Sequence, residues 1–585
     1  MAGPNAETSF ECDVLVIGSG AGGMAAAITA KLHGLSPLIV EKAPVFGGST
    51  AVSGGAAWIP CSPVAKRAGI DDNIEAVRRF LELELGNRME RDMIDAFLEF
   101  GPRMVAFLEE KTAVRFVTFK TYPDYHPDTE GAAMGGRLLR GANYDGRLLG
   151  KHFAELRPSL DELSIFGGMM IAGEDVPHLF NMTRSFRSAR YVAKLLARHA
   201  IDRLRYPRGT RLANGNALAA RLGKSVFDLG IPMWLAAPAR ELIFEGGGVR
   251  GAVIERSGGA VRVRARNGVV LAAGGFPRSD ALRKRLMPHV AKGIPHWTLV
   301  PGASDGDGLH LGEAAGAELR ADGEYPAVWM PASRVPKPDG THVTFPHLID
   351  RAKPGFIAVD RSGKRFVNES ASYQDFVPAM LPLLERKDNA IFLVCDHRAI
   401  RKYGIGAVRP FPGRLGRHLK SGYLLSGATP QDLAKRAGID AAAFADTIER
   451  FNIGAESGAD PEFGKGGNAY NRFMGDANHT PNPCVAPLAD APFYAVRLFP
   501  GDVGTFAGLR TDAAARVLDA NRQPIPGLYA AGADMASIMG GLYPAGGVTL
   551  GPALTFGYIA GLHLAGQHLT GHQGVAPVDR GRAAG

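Results

Sequence analysis

Two glycine-rich runs near opposite ends of the chain hold the residue types that could do chemistry. Near the amino end, "GSGAGG" spaces Gly18, Gly20 and Gly23 as GxGxxG, directly after the apolar run "DVLVI" and before the alanine-rich "MAAAITAKLHG". In such a strand, turn and helix the first glycine permits the tight turn. The second admits a pyrophosphate to the backbone, and the third lets helix and strand pack closely. The helix start adds unpaired N–H groups and positive potential for phosphate. A second apolar run, "PLIVEK", carries Glu41 about twenty residues on, where a carboxylate accepts hydrogen bonds from a ribose. Near the carboxyl end, "GGLYPAGGVTLGPALTFG" sets one phenol, Tyr543, in a loop whose other residues let backbone approach a ligand.

The elements that position these residues follow from pattern. "GVVLAAGGF" (268–276) and "IPGLYAAGAD" (525–534) read as core strands that end in glycine, and "NIEAVRRFLELELG" (73–86) as a helix. "EGGGVRG" (245–251) is a hairpin turn between two apolar runs, and "TYPDYHPDTEGAAMGG" carries loop chemistry. In "SDGDGLHLGEAAGAEL", Asp305 or Asp307 is placed to cap a helix. A chain of 585 residues exceeds what one core sustains, so two or more domains or one large composite fold are expected. There is no internal repeat and no low-complexity linker.

Composition narrows the class. Hydrophobic residues at 46% and charged residues at 21% fit a soluble globular protein and exclude overall disorder. A net charge of +9 spread over this length is a weak argument for nucleic acid, and no nucleic-acid partner is expected. Cys12, Cys61, Cys395 and Cys484 form no CxxC, haem or zinc spacing, so a reduced, cytoplasmic protein without a metal is expected. The start "MAGPNAETSFECD" lacks the basic and apolar regions of a signal peptide. Residues 184–208 are basic and helix-compatible, with Val192, Leu195, Leu196 and Ile201 among the charges. This pattern suits a solvated helix face packed on the protein, and also peripheral contact with an anionic membrane.

The fingerprint alone points to a nicotinamide dinucleotide, but "GGSTAVSGGAAW" (47–58) resembles instead the second phosphate and flavin contact of the FAD flavoproteins related to succinate dehydrogenase and fumarate reductase. The two later strands match that superfamily in order. The resemblance implies an α/β fold: a discontinuous Rossmann-like FAD-binding domain with an inserted α+β catalytic domain. The FAD-binding segments would be 8–283, with a helical insertion around 150–210, and 492–572; the catalytic domain would be 284–491, and 573–585 a flexible tail. It implies FAD contacts at Gly18, Gly20, Ala21, Gly23, Glu41, Lys42, Gly48, Ser49, Thr50, Ser53, Gly54, Gly55, Ala239, Ala273, Gly274, Gly532, Thr549 and Leu550, and a contact from Asp534 to the ribityl chain. No histidine lies in "GGSTAVSGG", so the FAD is expected to be non-covalent.

"PGFIAVDRSGKRFVNESASYQDF" (354–376) resembles the "GKRFVNE" element of the fumarate reductases, whose proton-delivering arginine, four residues past the glutamate, is Tyr373 here; "GDVGTFAGLRTD" also lacks their histidine. Losing those cations argues against dicarboxylates. The tyrosine, together with "YPAGGVTLGP" and "YPDYHP", resembles the 3-ketosteroid Δ1-dehydrogenases. That resemblance implies FAD-dependent 1,2-desaturation of a 3-ketosteroid or similar cyclic ketone. Tyr543 and the Gly547 N–H would polarise the ketone, Tyr373 would take the carbon 2 proton, and Tyr125, with Tyr122 second, would relay it. The electron acceptor is not specified. Alternatives are an FAD-dependent reductase of activated double bonds, a 3-ketosteroid Δ4-dehydrogenase, and a non-enzymatic FAD protein at a membrane.

Overall fold

The computed structural model describes residues 8–567 apart from 161–163, 167, 184 and 414, so the expected tail and the first residue of the basic segment, Arg184, lie outside the described residues. Two sheets organise the chain. The first is built on Thr8–Ile17, whose Val14, Leu15, Val16 and Ile17 are all buried, as befits a parallel strand covered on both faces. Parallel to it lie Pro37–Val40 on one side and Gly259–Leu271 on the other; Met233–Trp234 extends one edge. Pro524–Ala530 joins Gly259–Leu271 in parallel from the far end of the sequence. The hairpin Ala239–Glu245 and Gly248–Arg256 attaches antiparallel to Gly259–Leu271.

The helix Ala21–Leu32 packs along Leu550–Leu564, so the amino-terminal fingerprint and the carboxyl-terminal glycine run meet in one layer. Glycine makes the crossing close. A Cβ at Gly557 would fall 2.2 Å from the Gly22 carbonyl oxygen.

The second sheet is mainly antiparallel. Ala327–Pro336, Phe493–Thr505, Ile391–Cys395 and Phe356–Asp360 run side by side, with His342–Pro346 at one edge. The helix Tyr373–Leu384 lies against it, and Gln374 Oε1 accepts the Trp329 N–H at 2.8 Å. One expected boundary is corrected here. Phe493–Thr505 sits between Ala327–Pro336 and Ile391–Cys395, so the return to the nucleotide sheet comes not at residue 492 but with Arg516–Leu518 and Pro524–Ala530. A buried strand reads alike in either sheet; only its long-range partners assign it.

Among the described residues, no helix is long and apolar enough to cross a membrane. The helix Phe186–Arg205 forms as expected, with Val192 buried but Leu196 and Ile201 exposed.

Filling the helix crossing is expected to strain the fold. Gly557→Ala should lower stability by about 1–3 kcal/mol, the usual cost of overpacking. The check is a fall in the urea midpoint of the holoprotein at unchanged slope.

Candidate active site

A cavity of about 600 Å³ runs from the fingerprint turn to the phenols. Its nucleotide end forms where Ala21–Leu32 begins: the extended residue Gly20 offers no side-chain cap, and the Ala21 N–H reaches only Thr50 Oγ1, at 3.1 Å. Of the expected cofactor residues, Gly20, Ala21, Glu41, Gly48, Ser49, Thr50, Ser53, Gly54, Gly55, Ala273, Gly274, Gly532, Thr549 and Leu550 line this cavity. Glu41 is oriented by its neighbours. Its Oε2 accepts from Ser19 N (3.1 Å) and Ser19 Oγ (2.5 Å), and its Oε1 from Ala43 N (2.8 Å).

The other five are not among the residues that line it. Gly18, at φ +111°, makes the turn, since a Cβ there would fall 2.1 Å from Ala272 O; a Cβ at Gly23 would fall 2.1 Å from Gly18 O. Both positions are packed tightly against backbone. Lys42 is drawn away by Asp305 (2.6 Å) and Asp307 (2.8 Å), and the helix cap expected of those aspartates falls to Gly306 instead. Ala239 is buried at the start of the hairpin, paired with Ile254. Asp534 is fully buried; its oxygens accept Ala273 N (2.5 Å) and Gly275 N (2.8 Å), and burial pushes its carboxyl up to about 6. It therefore fastens the 273–275 turn to the Gly532–Asp534 turn.

Arg157 belongs to no sequence motif that would mark it. It lines the nucleotide end, its backbone N–H bonded to Phe46 O and its buried Nε without a hydrogen-bond partner in the protein. A glycine cradle, an open helix start and an unpaired buried guanidinium N–H near Glu41 fit the phosphates and ribose of a dinucleotide.

At the other end, three chain segments deliver phenols to one point. The Tyr125 hydroxyl donates to the Tyr373 hydroxyl at 2.9 Å. The Tyr543 ring lies 5.5 Å from Tyr125 and 5.6 Å from Tyr373 between centroids. Burial pushes the Tyr543 phenol up, opposed by the Tyr373 hydroxyl, the Gly547 N–H and Thr549, so these groups converge on its oxygen. At Gly547, φ +89°, a Cβ would fall 2.7 Å from Trp58 N, which is why backbone stands bare there. Burial pushes Tyr122 up to about 12 and holds Tyr125, Tyr373 and Tyr470 well above an ordinary phenol. Tyr470, 4.6 Å from Tyr125 between rings, is a further member that no sequence signal marked.

Buried ion pairs hold this cluster in place. Asp124 accepts Trp58 Nε1 (2.9 Å), Ala133 N (2.9 Å) and Arg137 (2.8 Å), which fixes the loop that carries Tyr122 and Tyr125. The "GKRFVNE" element proves to be a brace. Arg365 joins Glu369 and Asp460, both at 2.8 Å, all three buried, and Glu369 Oε1 accepts Ala358 N. This locks the approach to Ser372, which caps the helix that begins at Tyr373. His126 spans the two parts, with Glu84 at 2.5 Å and Asp375 at 3.2 Å.

The fold and this cavity define an FAD-binding flavoprotein: the chain belongs to the FAD binding domain family, which matches residues 13–550. It is 42% identical over 561 residues to the 4-oxocyclohex-2-ene-1-carboxylate 5-dehydrogenase of Sinomonas cyclohexanicum, covering 95% of this chain and 94% of that one. It is 36% identical over 573 residues to the 3-oxosteroid 1-dehydrogenase of Mycobacterium tuberculosis, covering 96% and 99%. The crystal structure of 3-ketosteroid Δ1-dehydrogenase from Sterolibacterium denitrificans with 1,4-androstadiene-3,17-dione superimposes with a TM-score of 0.87 at 35% identity, covering 95% of this chain and all of that one.

His126 gives a pH signature. Burial pulls its imidazole down, but Asp375 and Glu84 more than reverse this and hold it up at about 10 against an ordinary 6.5. A raised folded-state value contributes stability that is full below 6.5 and lost as pH rises through about 10. The Tm gap between wild type and His126→Gln should therefore be widest in acid and close towards pH 10.

Proposed function

We propose that the protein is an FAD-dependent dehydrogenase that desaturates the carbon 1–carbon 2 bond of a 3-ketosteroid or a ring ketone of the same pattern. The observation that carries this reading is the meeting of Tyr125, Tyr373, Tyr543 and Gly547 around one cavity end. Bound FAD supplies the acceptor for the hydride that leaves carbon 1. Tyr543 O–H and Gly547 N–H donate to the ketone oxygen, which acidifies carbon 2 and stabilises the enolate charge as it develops. Tyr373 takes the carbon 2 proton. Its oxygen already accepts from Tyr125, and its place at the start of a 12-residue helix adds positive potential, both of which favour phenolate. Burial works against them, so the base gains strength as pH rises.

A 3-oxosteroid and a 4-oxocyclohexene carboxylate share the acidic carbon beside a ring ketone, so one proton-abstraction geometry serves both relatives' named substrates. The electrons then pass to an external acceptor.

The helix Phe186–Arg205 supports a peripheral lipid contact. At 100° per residue, Phe186, Ile201 and Leu204 fall on one exposed face, beside Arg190. The holoprotein should co-sediment with anionic vesicles and lose that binding in Phe186→Ser/Leu204→Ser; equal recovery with neutral vesicles would count against the contact.

Anaerobic addition of 4-androstene-3,17-dione should bleach the flavin and yield the 1,4-diene by mass. Tyr373→Phe should retain FAD and lose nearly all turnover. Tyr543→Phe should raise the barrier by about 2.7–4 kcal/mol, the usual cost of an oxyanion donor. Wild-type kcat should climb from neutral to alkaline pH, and Tyr125→Phe should move that climb upward; a flat profile would rule out a phenol base.

A further inference from the structure

Charged side chains are scarce on the wall of this cavity. Among the described residues its cations are Arg157 and Lys353, and Arg157 stands at the nucleotide end near Glu41. Lys353 lines the cavity against Met474, on the same chain segment that brings Leu348 and Ile349 to the wall.

Its ammonium is incompletely matched. Two of its three donors go to backbone carbonyls, Met474 O at 2.8 Å and Gly475 O at 2.6 Å, at the carboxyl end of the helix Ala469–Met474. No carboxylate among the described residues lies within ion-pair distance. The nearby acids are engaged elsewhere: Asp476 with Lys402 and Tyr403, both at 2.7 Å, and Asp350 with His347 at 2.7 Å and Gly406 N at 2.9 Å. Burial pulls the ammonium below an ordinary lysine, a deficit that an arriving anion would reverse. A half-buried cation with a spare donor, facing a cavity whose lining carboxylate, Glu41, is already bonded to Ser19 and Ala43, is costly unless something anionic comes to it.

We propose that Lys353 is a specificity-determining residue that receives a carboxylate carried by the ring-ketone substrate, at the end of the molecule away from the reacting carbons. This rests on the ring-ketone reading above and adds to it the chemical class of the substrate: an oxo acid rather than a neutral ketone. The ketone meets the phenols and the acid meets the ammonium, so the two ends of the substrate fix its register over the reacting carbons. The carboxylate has two sources, a small oxocyclohexane carboxylic acid or a 3-oxosteroid with an acidic side chain.

The test compares acids with their neutral esters. For the wild-type holoenzyme, kcat/KM is measured with 4-oxocyclohexanecarboxylate against its methyl ester, and with 3-oxochol-4-en-24-oate against its methyl ester. Binding of cyclohexanecarboxylate, which has no ketone, is measured by calorimetry. At least one acid should be preferred over its ester by roughly tenfold or more, the usual worth of a charge-assisted hydrogen bond. Which pair shows the preference identifies the source. Lys353→Gln should erase the preference mainly through KM, and Lys353→Arg should restore most of it. Equal use of acid and ester by the wild type overturns the proposal without any variant. So does a Lys353→Gln protein that melts earlier yet keeps the preference, which would leave Lys353 as a helix cap alone. If no ketone bleaches the flavin, the desaturase reading fails; the calorimetric comparison of wild type with Lys353→Gln then still decides whether the ammonium binds a carboxylate, and absence of any difference overturns that as well.

Discussion

A hydrogen bond between two phenols, from Tyr125 to Tyr373, joins the loop of the nucleotide-binding part to the first residue of a helix on the second sheet. It holds only if the two parts keep a fixed relation. A hydroxyl contact of 2.9 Å tolerates little drift before it stops being a hydrogen bond. Much of the neighbouring polar architecture resists that drift. Asp124 anchors the loop, Arg365 braces the approach to Ser372, His126 bridges Glu84 to Asp375, and Lys42 reaches across to Asp305 and Asp307. Each is an ion pair at least partly buried, worth little as net stability but demanding in geometry.

The division of labour between glycine and tyrosine follows from the same need. Where backbone segments must pass close to one another, as Gly18 to Ala272 and Gly547 to Trp58, the chain removes side chains and turns into conformations that only glycine adopts freely. Where charge must develop on a substrate oxygen, it supplies hydroxyls. The helix pair Ala21–Leu32 and Leu550–Leu564 brings both devices into one layer.

Local signals were legible in the sequence. The fingerprint from Asp13 to Glu41 spans one strand, one helix and the next strand, and its spacing is set by elements that form beside one another. Tyr373 and Tyr543 were reached through resemblance, since nothing in their local pattern says that residues 170 apart share a cavity. What could not be read depends on long-range partners. Phe493–Thr505 looks like any core strand until its neighbours assign it to the second sheet. Lys42 and Asp534 are polar residues at the expected places whose atoms are claimed by Asp305, Asp307 and the 273–275 turn. His126 sits inside "YPDYHP", where a histidine next to a proposed relay is the available signal. Arg157 and Lys353 had none.

The choice of phenols over cations carries a physical logic. A ketone has no net charge before it reacts, so a permanent cation at its oxygen would favour anionic ligands in the resting site and would itself need a buried counterion. A neutral hydroxyl can be buried at the cost of one hydrogen bond, which Tyr125 and Tyr373 supply to each other, and it strengthens as a donor only when negative charge appears. The elevated phenol values are the consequence: the desolvation that makes Tyr543 an effective donor also makes Tyr373 a reluctant base. A donor on one side and a base on the other, both tyrosine, therefore require unequal surroundings. The surroundings do differ: Tyr373 accepts from Tyr125 and starts a helix, which favour its charge against burial and the neighbouring Tyr543, whereas on Tyr543 burial is opposed by the Tyr373 hydroxyl, the Gly547 N–H and Thr549, so a rise in pH is what brings Tyr373 to phenolate.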